Sequence, residues 1–150
     1  MPDDKRLMEV ALDEASAALE HDDVPIGCVV ARGDEVIART HNARERDQDP
    51  TAHAEVLALR EAAAAIGSWR LDDCTVYVSL EPCVMCAGAI VLARAERLVY
   101  GAPDPKAGAV RSLYNVADDA RLNHRVEVTA GVLEEECGEL LRTYFSAKRG

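Results

Sequence analysis

The feature that most constrains the fold of this chain is a junction between a strand-like and a helix-like segment. Residues 76–80 have the alternating pattern of a strand, and residues 85–93 have the apolar pattern of a helix. Pro82, Cys83 and Cys86 lie where the two segments join. Proline suits the first position of a helix, where its missing N–H is no loss. The two cysteines then share one face of the first turn. Free N–H groups and the positive end of the helix dipole favour thiolates there, the form that binds metals.

The Cys-x-x-Cys spacing alone leaves several kinds of site open. A redox dithiol, half of a four-cysteine structural zinc site and part of a catalytic zinc site all use it. The other cysteines, Cys28, Cys74 and Cys137, are isolated in or near apolar runs. Such cysteines are usually buried small hydrophobes, so the sequence offers no second pair for a structural site.

A second motif decides between these alternatives. His53 and Glu55 lie about thirty residues upstream, just after Pro50, which marks another helix start. One imidazole and two thiolates neutralise Zn²⁺ and leave its fourth tetrahedral position open, as in catalytic sites. H-x-E followed by P-C-x-x-C is the zinc deaminase signature. We therefore predict one zinc ion per chain, held by His53, Cys83 and Cys86, with Glu55 as the catalytic carboxylate.

The two motifs resemble the cytidine-deaminase superfamily, and the longer runs 49–55 and 80–89 resemble its bacterial tRNA-specific adenosine deaminase family. The resemblance covers almost the whole chain and includes residues 24–27, Asn42, 100–102, 104–109 and 123–126. All branches of the superfamily share the zinc motifs, so these motifs indicate the chemistry. The other segments indicate the substrate.

The resemblance implies an α/β fold, a three-layer α/β/α sandwich of the cytidine-deaminase type with a central five-stranded mixed sheet. Its strand order would be 2-1-3-4-5, with the first pair antiparallel and the last two strands parallel. The sequence pattern predicts matching elements: a helix near 4–20, a hairpin of 26–31 and 35–39, a loop at 44–49, a helix from Pro50 or Thr51 to Gly67, strands at 75–80, 97–101 and 126–128, a loop at 104–115, and a last helix from Leu133.

We expect residues 1–150 to form a single deaminase domain. Val56, Leu59, Ala63 and Ile66 are predicted to be the buried face of the second long helix, and Tyr144 and Phe145 are predicted core residues.

The activity that the resemblance implies is hydrolytic deamination of adenosine to inosine at the wobble position of an arginine tRNA. Zinc would lower the pKa of its bound water to about 7. Glu55 would accept that proton, pass it to the ring nitrogen and later help to protonate the departing ammonia. The anticodon loop is single-stranded, so its base can be extruded cheaply. Residues that would contact or surround the nucleotides are Asn42, Ala54, Leu80, Glu81 and Asp104.

Two other functions stay open at this point. One is deamination of a free nucleobase or nucleoside such as guanine or cytosine, and the other is a non-enzymatic binding module stabilised by zinc. The resemblance implies a homodimer. Residues 1–6 are charged, and no uninterrupted apolar run approaches membrane length, so we expect a cytoplasmic protein with no membrane partner. We expect no DNA partner.

The net charge of −10 bears on the proposed RNA partner, because nucleic-acid binding relies on Lys and Arg. Acidic residues concentrate in the opening helix and at Glu134–Glu136. Basic residues follow the cysteine helix, and two interpretations stay open: a basic face on an acidic protein, or scattered solvated charges. The predicted phosphate contacts are Arg94, Arg97, Lys106, Arg111, Arg121 and Arg125.

Overall fold

A computed structural model describes residues 2–149, and five of its strands form one mixed sheet. The strands are β1 (Gly27–Arg32), β2 (Glu35–His41), β3 (Thr75–Leu80), β4 (Arg97–Ala102) and β5 (Glu127–Ala130). Their order is β2-β1-β3-β4-β5. β1 is antiparallel to β2 and β3, whereas β3, β4 and β5 run parallel. The predicted strand order and directions are confirmed.

Helices cover both faces of the sheet. They are α1 (Asp4–Ala17), α2 (Arg44–Asp47), α3 (Ala54–Ile66), α4 (Val84–Leu92) and α5 (Glu134–Arg149), and a 3₁₀ turn at Ala18–His21 follows α1. Strand side chains alternate between two cores because successive residues point to opposite faces. Cys28, Val30, Val76 and Val78 belong to the core with α3 and α4, and Val29, Tyr77 and Val99 belong to the core with α1 and α5. The predicted three-layer sandwich is therefore confirmed.

A close approach between α1 and β1 brings the start of the sheet against the first helix. A Cβ atom on Gly27 would lie 1.8 Å from the carbonyl oxygen of Ala11, so only glycine fits there. The Gly27 N–H donates to the Ser79 hydroxyl on β3, 3.0 Å away. These contacts hold the segment before β1 at the carboxyl end of β3, where ligand sites gather in α/β sheets.

Both motif-bearing helices begin later than the prolines predicted. His53 and Cys83 are the N-cap residues of α3 and α4 and have extended backbones, so Pro50 and Pro82 lie before the helices. A proline disfavours helical geometry in the residue before it but leaves the following residue free, and here the chain uses that freedom for an extended entry. Both helix N-termini still point at one place.

Other predictions of local structure need correction. Residues 44–47 form the short helix α2 rather than a loop. The buried side of α3 is Ala54, Glu55, Ala58, Leu59 and Ala62, so Val56 and Ala63 lie beside it. Phe145 lies one turn after the buried Leu141 of α5 but is 44% exposed, and Tyr144 is half-buried and belongs to neither core, so the prediction of two core residues is wrong. No helix within residues 2–149 has the length and apolar character that crossing a membrane requires.

Candidate active site

One imidazole and two thiols meet where α3 and α4 begin. His53 precedes the first residue of α3, while Cys83 precedes the first residue of α4 and Cys86 lies on its first turn. The His53 Nδ1 atom lies 3.6 Å from the Cys83 Sγ atom and 3.4 Å from the Cys86 Sγ atom. All three donor atoms lie within 4.8 Å of one another, so this group could hold a metal ion.

The spacing and chemistry of these donors suit zinc. Tetrahedral zinc with ordinary Zn–N and Zn–S bond lengths places a nitrogen and a sulfur ligand about 3.5 Å apart. The two measured N–S distances lie on either side of that value. Imidazole and thiolate are also the ligands that zinc prefers. The donor types and the two N–S distances therefore fit a zinc ion.

The protonation of the three groups is coupled through these short contacts. Hydrogen bonds from Cys86 and then from His53 lower the pKa of the Cys83 thiol to about 3. The interaction with Cys83 raises the pKa of His53. The hydrogen bond with Cys83, together with burial, raises the pKa of Cys86. Cys83 is thus a thiolate near neutral pH, ready to bind a cation.

Glu55 is the second residue of α3 and is only 4% exposed. Burial raises the pKa of its carboxyl to about 7, although its own backbone N–H and the charge of His53 act in the opposite direction. A general acid–base group works best with a pKa near the working pH. Glu55 therefore has the protonation behaviour that proton transfer near neutral pH requires.

A cavity of about 240 Å³ opens beside this group. His53 and Cys83, two of the three residues that could hold a metal ion, line it together with Glu55. All five residues that the sequence predicts around the substrate also line it, namely Asn42, Ala54, Leu80, Glu81 and Asp104. A single space thus brings the proposed metal ligands, a titratable carboxylate and the predicted substrate contacts together.

Comparison with known proteins identifies the family. The family model of the MafB19-like deaminases matches residues 2–149. A tRNA-specific adenosine deaminase of Bacillus subtilis (strain 168) is 50% identical over 149 residues, which cover 99% of this chain and 92% of that protein. One from Haemophilus influenzae is 46% identical over 147 residues, which cover 97% and 85%. This chain belongs to the tRNA-specific adenosine deaminases.

Solved structures of two kinds of deaminase are similar to this protein. A structure from studies of A-to-I editing by tRNA:A34 deaminases has a TM-score of 0.87 and 46% identity, and the match covers 91% of this chain and 99% of that one. A guanine deaminase from Nitrosomonas europaea has a TM-score of 0.81 and 26% identity, with 97% and 86% covered. The fold is similar to both, whereas the identity is far higher to the tRNA enzyme.

In this deaminase, Asn42 connects two segments of the cavity wall. Its side-chain amide donates to the carbonyl of Val24, 3.2 Å away, and its side-chain oxygen accepts from the Arg44 N–H at 3.3 Å. Val24 and Arg44 both line the cavity. Asn42 therefore positions other cavity residues, in addition to any contact of its own with a ligand.

Glu81 lines the cavity, but its carboxylate faces the loop of residues 104–112. It accepts hydrogen bonds from the N–H groups of Asp104, Val110, Arg111 and Ser112 and from the Ser112 hydroxyl. Burial works against its charge, yet these bonds, led by the Ser112 hydroxyl, outweigh it and lower the pKa of Glu81 to about 2. Glu81 thus holds the loop that carries Asp104 and Ala107 into the cavity wall.

Five cavity residues were not among the predicted site residues: Val24, Ile26, Arg44, Ala107 and Phe145. Val24, Ile26 and Ala107 fall within segments that carry the family resemblance, so that resemblance was the available signal. Arg44 follows Asn42 by two residues in a polar stretch. Phe145 comes from the far end of α5, and no local pattern indicates that it reaches the site.

Proposed function

We propose that this protein hydrolyses adenosine to inosine at the wobble position of tRNA. The observation that carries the proposal is the meeting of Glu55 with the His53, Cys83 and Cys86 group at one cavity wall, in a chain 46–50% identical to tRNA-specific adenosine deaminases. The reaction replaces the amino group on carbon 6 of adenine with oxygen from water and releases ammonia. We also propose a cytoplasmic location, a reducing compartment in which the Cys pair stays free.

His53, Cys83 and Cys86 would hold one zinc ion, which when bound lowers the pKa of water to about 7. Glu55 would take the proton from the attacking water and give it to the ring nitrogen next to the reacting carbon. It would then help to protonate the leaving ammonia. Glu55 is buried except where it lines the cavity, so its carboxyl group is accessible from the side where the base would bind.

The basic residues available for RNA differ in part from those predicted. Arg97 forms an ion pair with Asp4 at 2.6 Å, Arg121 pairs with Asp119, and Arg125 pairs with Asp118. These three side chains are therefore weaker candidates for phosphate contacts. Arg44 lines the cavity, and Lys106 and Arg111 are exposed on the loop that borders it. We propose these three as the phosphate contacts nearest the reacting base.

A homodimer is part of the same proposal. Val84 and Leu92 are exposed on one side of α4. Leu113 and Tyr114 are exposed on the loop that follows β4. Gly88 lies between Val84 and Leu92 on that side, and no atom lies within 4 Å of a Cβ placed on it. Exposed apolar side chains along one side of a helix, as on α4, favour contact with a second subunit. Sedimentation at micromolar concentration should give twice the chain mass of 16.2 kDa.

The decisive experiment is a side-by-side assay of ammonia release and inosine formation. Its substrates are an anticodon stem-loop with a wobble adenosine, free adenosine, guanine, cytosine and cytidine. Each substrate is assayed at two salt concentrations. We expect the stem-loop to react far faster than any free base or nucleoside, because contacts to flanking nucleotides position the reacting base. Replacing Lys106 or Arg111 with Ala should weaken stem-loop binding and flatten its salt dependence by about one unit of slope each, with Arg121→Ala as the paired control.

The second candidate function is deamination of guanine, which the similarity to the Nitrosomonas europaea enzyme favours. Turnover of guanine without activity on the stem-loop would establish that alternative and overturn the tRNA proposal. Absence of deamination with every substrate, in zinc-loaded protein, would instead leave a non-enzymatic binding module.

A further inference from the structure

Two histidines outside the active site face each other across a gap of hydrogen-bond length. His21 ends the 3₁₀ turn after α1, and His41 ends β2. Their Nε2 atoms lie 3.1 Å apart, and the ring centroids lie 5.2 Å apart. Each side chain is about a fifth exposed, at 18% for His21 and 20% for His41, so water reaches both rings. Neither histidine has a part in the proposed reaction.

The other nitrogen of each ring is held by a carboxylate. The His21 Nδ1 atom donates to Asp23 at 2.6 Å, and the His41 Nδ1 atom donates to Glu14 at 2.9 Å. Burial disfavours charge on both acids, but hydrogen bonds from the backbone of Glu45 and Arg46 lower the pKa of Asp23, and bonds with His41 and Arg39 lower that of Glu14. Ionised carboxylates only accept hydrogen bonds, so both Nδ1 atoms carry the hydrogen.

In the neutral state the two Nε2 atoms therefore have no hydrogen and present lone pairs to each other. Two lone pairs at 3.1 Å repel, and a cation bound about 2 Å from each nitrogen, to one side of the line that joins them, removes the repulsion. The charged groups around the pair are Glu14 and Asp23, with Arg39 paired to Glu14 at 2.7 Å, while the Arg46 guanidinium pairs with Asp47. The two ionised carboxylates that hold the rings favour a bound cation.

We propose that His21 and His41 form a second metal site, which binds a divalent transition-metal ion such as Zn²⁺, Ni²⁺ or Co²⁺ through both Nε2 atoms. Two imidazole ligands on a tetrahedral ion lie about 3.3 Å apart, close to the separation seen here. Metal-ligating histidines commonly donate their second ring N–H to a carboxylate, as both rings do in this protein. Water from the exposed side completes the coordination.

The site lies where the segment after α1, the end of β2 and the start of α2 meet. Asp23 also accepts the backbone N–H groups of Glu45 and Arg46, so it connects the segment after α1 to α2. Val24 and Asn42, which follow Asp23 and His41 directly, line the active-site cavity. A metal ion bound to both histidines would tie the cavity wall formed by the 22–26 segment to β2. It would stabilise the fold without taking part in the chemistry.

The test is calorimetric titration of zinc-loaded, tag-free protein with Ni²⁺. Wild-type protein should bind one equivalent beyond the catalytic zinc and should show a higher melting temperature with Ni²⁺, since a ligand that binds only the folded state stabilises it. His21→Asn and His41→Asn should each abolish that equivalent. His124→Asn is the matched control, because the His124 Nε2 atom contacts the Ala95 carbonyl instead, and it should leave Ni²⁺ binding unchanged.

Glu14→Gln keeps both imidazoles and removes one supporting charge. It should weaken Ni²⁺ binding by about 10–100-fold, the usual effect of losing such a partner, and it gives a result even if a histidine variant folds poorly. Unchanged affinity in Glu14→Gln, an equivalent retained in both histidine variants, or no saturable Ni²⁺ binding by wild-type protein would each overturn the proposal. If wild-type protein shows no saturable Ni²⁺ binding, the two rings are joined only by a shared proton.

Discussion

Glu55 and Glu81 border the same cavity, and both are almost completely buried, at 4% and 2% exposure. Their carboxyl groups nevertheless behave in opposite ways. The pKa of Glu55 is raised to about 7, whereas that of Glu81 is lowered to about 2. Burial disfavours charge on each, so burial alone does not explain the difference.

The difference lies in the hydrogen-bond donors around each carboxylate. Glu81 accepts four backbone N–H groups and one hydroxyl from the 104–112 loop. Glu55 faces its own N–H, His53 and the Cys86 thiol. A carboxylate with its acceptors filled holds structure and keeps its charge. A buried carboxylate with fewer donors, such as Glu55, takes up a proton more readily, so the two glutamates divide anchoring and proposed catalysis between them.

The largest expected effect comes from Glu55→Gln, which keeps size and removes basicity. If Glu55 transfers the proton, turnover of the stem-loop should fall by at least about 10²–10⁴-fold, the usual contribution of general acid–base catalysis. Zinc content, measured by metal analysis, should stay at one per chain. Cys83→Ala is the paired control and should lose the zinc as well. Near-normal turnover by Glu55→Gln would show that Glu55 is not the group that transfers the proton.

Glu81→Gln should cost stability in a way that depends on pH. The pKa of Glu81 in the folded protein, about 2, is lower than its ordinary value of 4.5. Its charged form therefore stabilises the fold above about pH 4.5, and this contribution is lost as pH falls from about 4.5 toward 2. From about 1.4 kcal/mol per pKa unit, the variant should be about 3 kcal/mol less stable at pH 7.

Urea unfolding of wild-type protein and Glu81→Gln at pH 7 and pH 3 measures this contribution. The gap between the two proteins should narrow at pH 3, because the unfolded carboxyl, with an ordinary pKa of 4.5, is then protonated and must lose that proton on folding. A gap of the same size at both pH values would show that Glu81 does not stabilise the loop through its charge. The KM for the stem-loop should rise in Glu81→Gln, since Asp104 and Ala107 depend on the loop for their positions.

Gly108→Ala should have the smallest effect of the three. A Cβ there would lie 2.3 Å from the Glu81 carboxyl carbon and 2.6 Å from the Asp104 carbonyl oxygen. Such overpacking costs about 1–3 kcal/mol, measurable by urea unfolding at pH 7. Gly138→Ala is the control, because its nearest neighbour is the flexible end of Arg142, and alanine should favour α5. Equal stability of the two variants would contradict close packing of Gly108 on Glu81.

Much of the fold was predictable because it depends on local patterns. Alternation located β3 at the residues predicted, and helical periodicity located α1, α3 and α5 to within a few residues. The strand order came from family resemblance, and the structure confirms it. The prediction of a single domain stays a prediction, as do the roles assigned to the site residues, and the experiments above address the roles of Glu55, Cys83 and Glu81.

The sequence by itself determined which chemistry the chain can perform, because the donor set of one imidazole and two thiols is a property of residue type and spacing. Only the tertiary structure decided what each charged group does. Arg97 meets Asp4 from 93 positions away, and Glu81 faces loop donors rather than the open cavity. His21 and His41 converge although 20 positions separate them. The reason is physical: a charge responds to the atoms within a few ångströms of it, and folding decides which distant atoms those are.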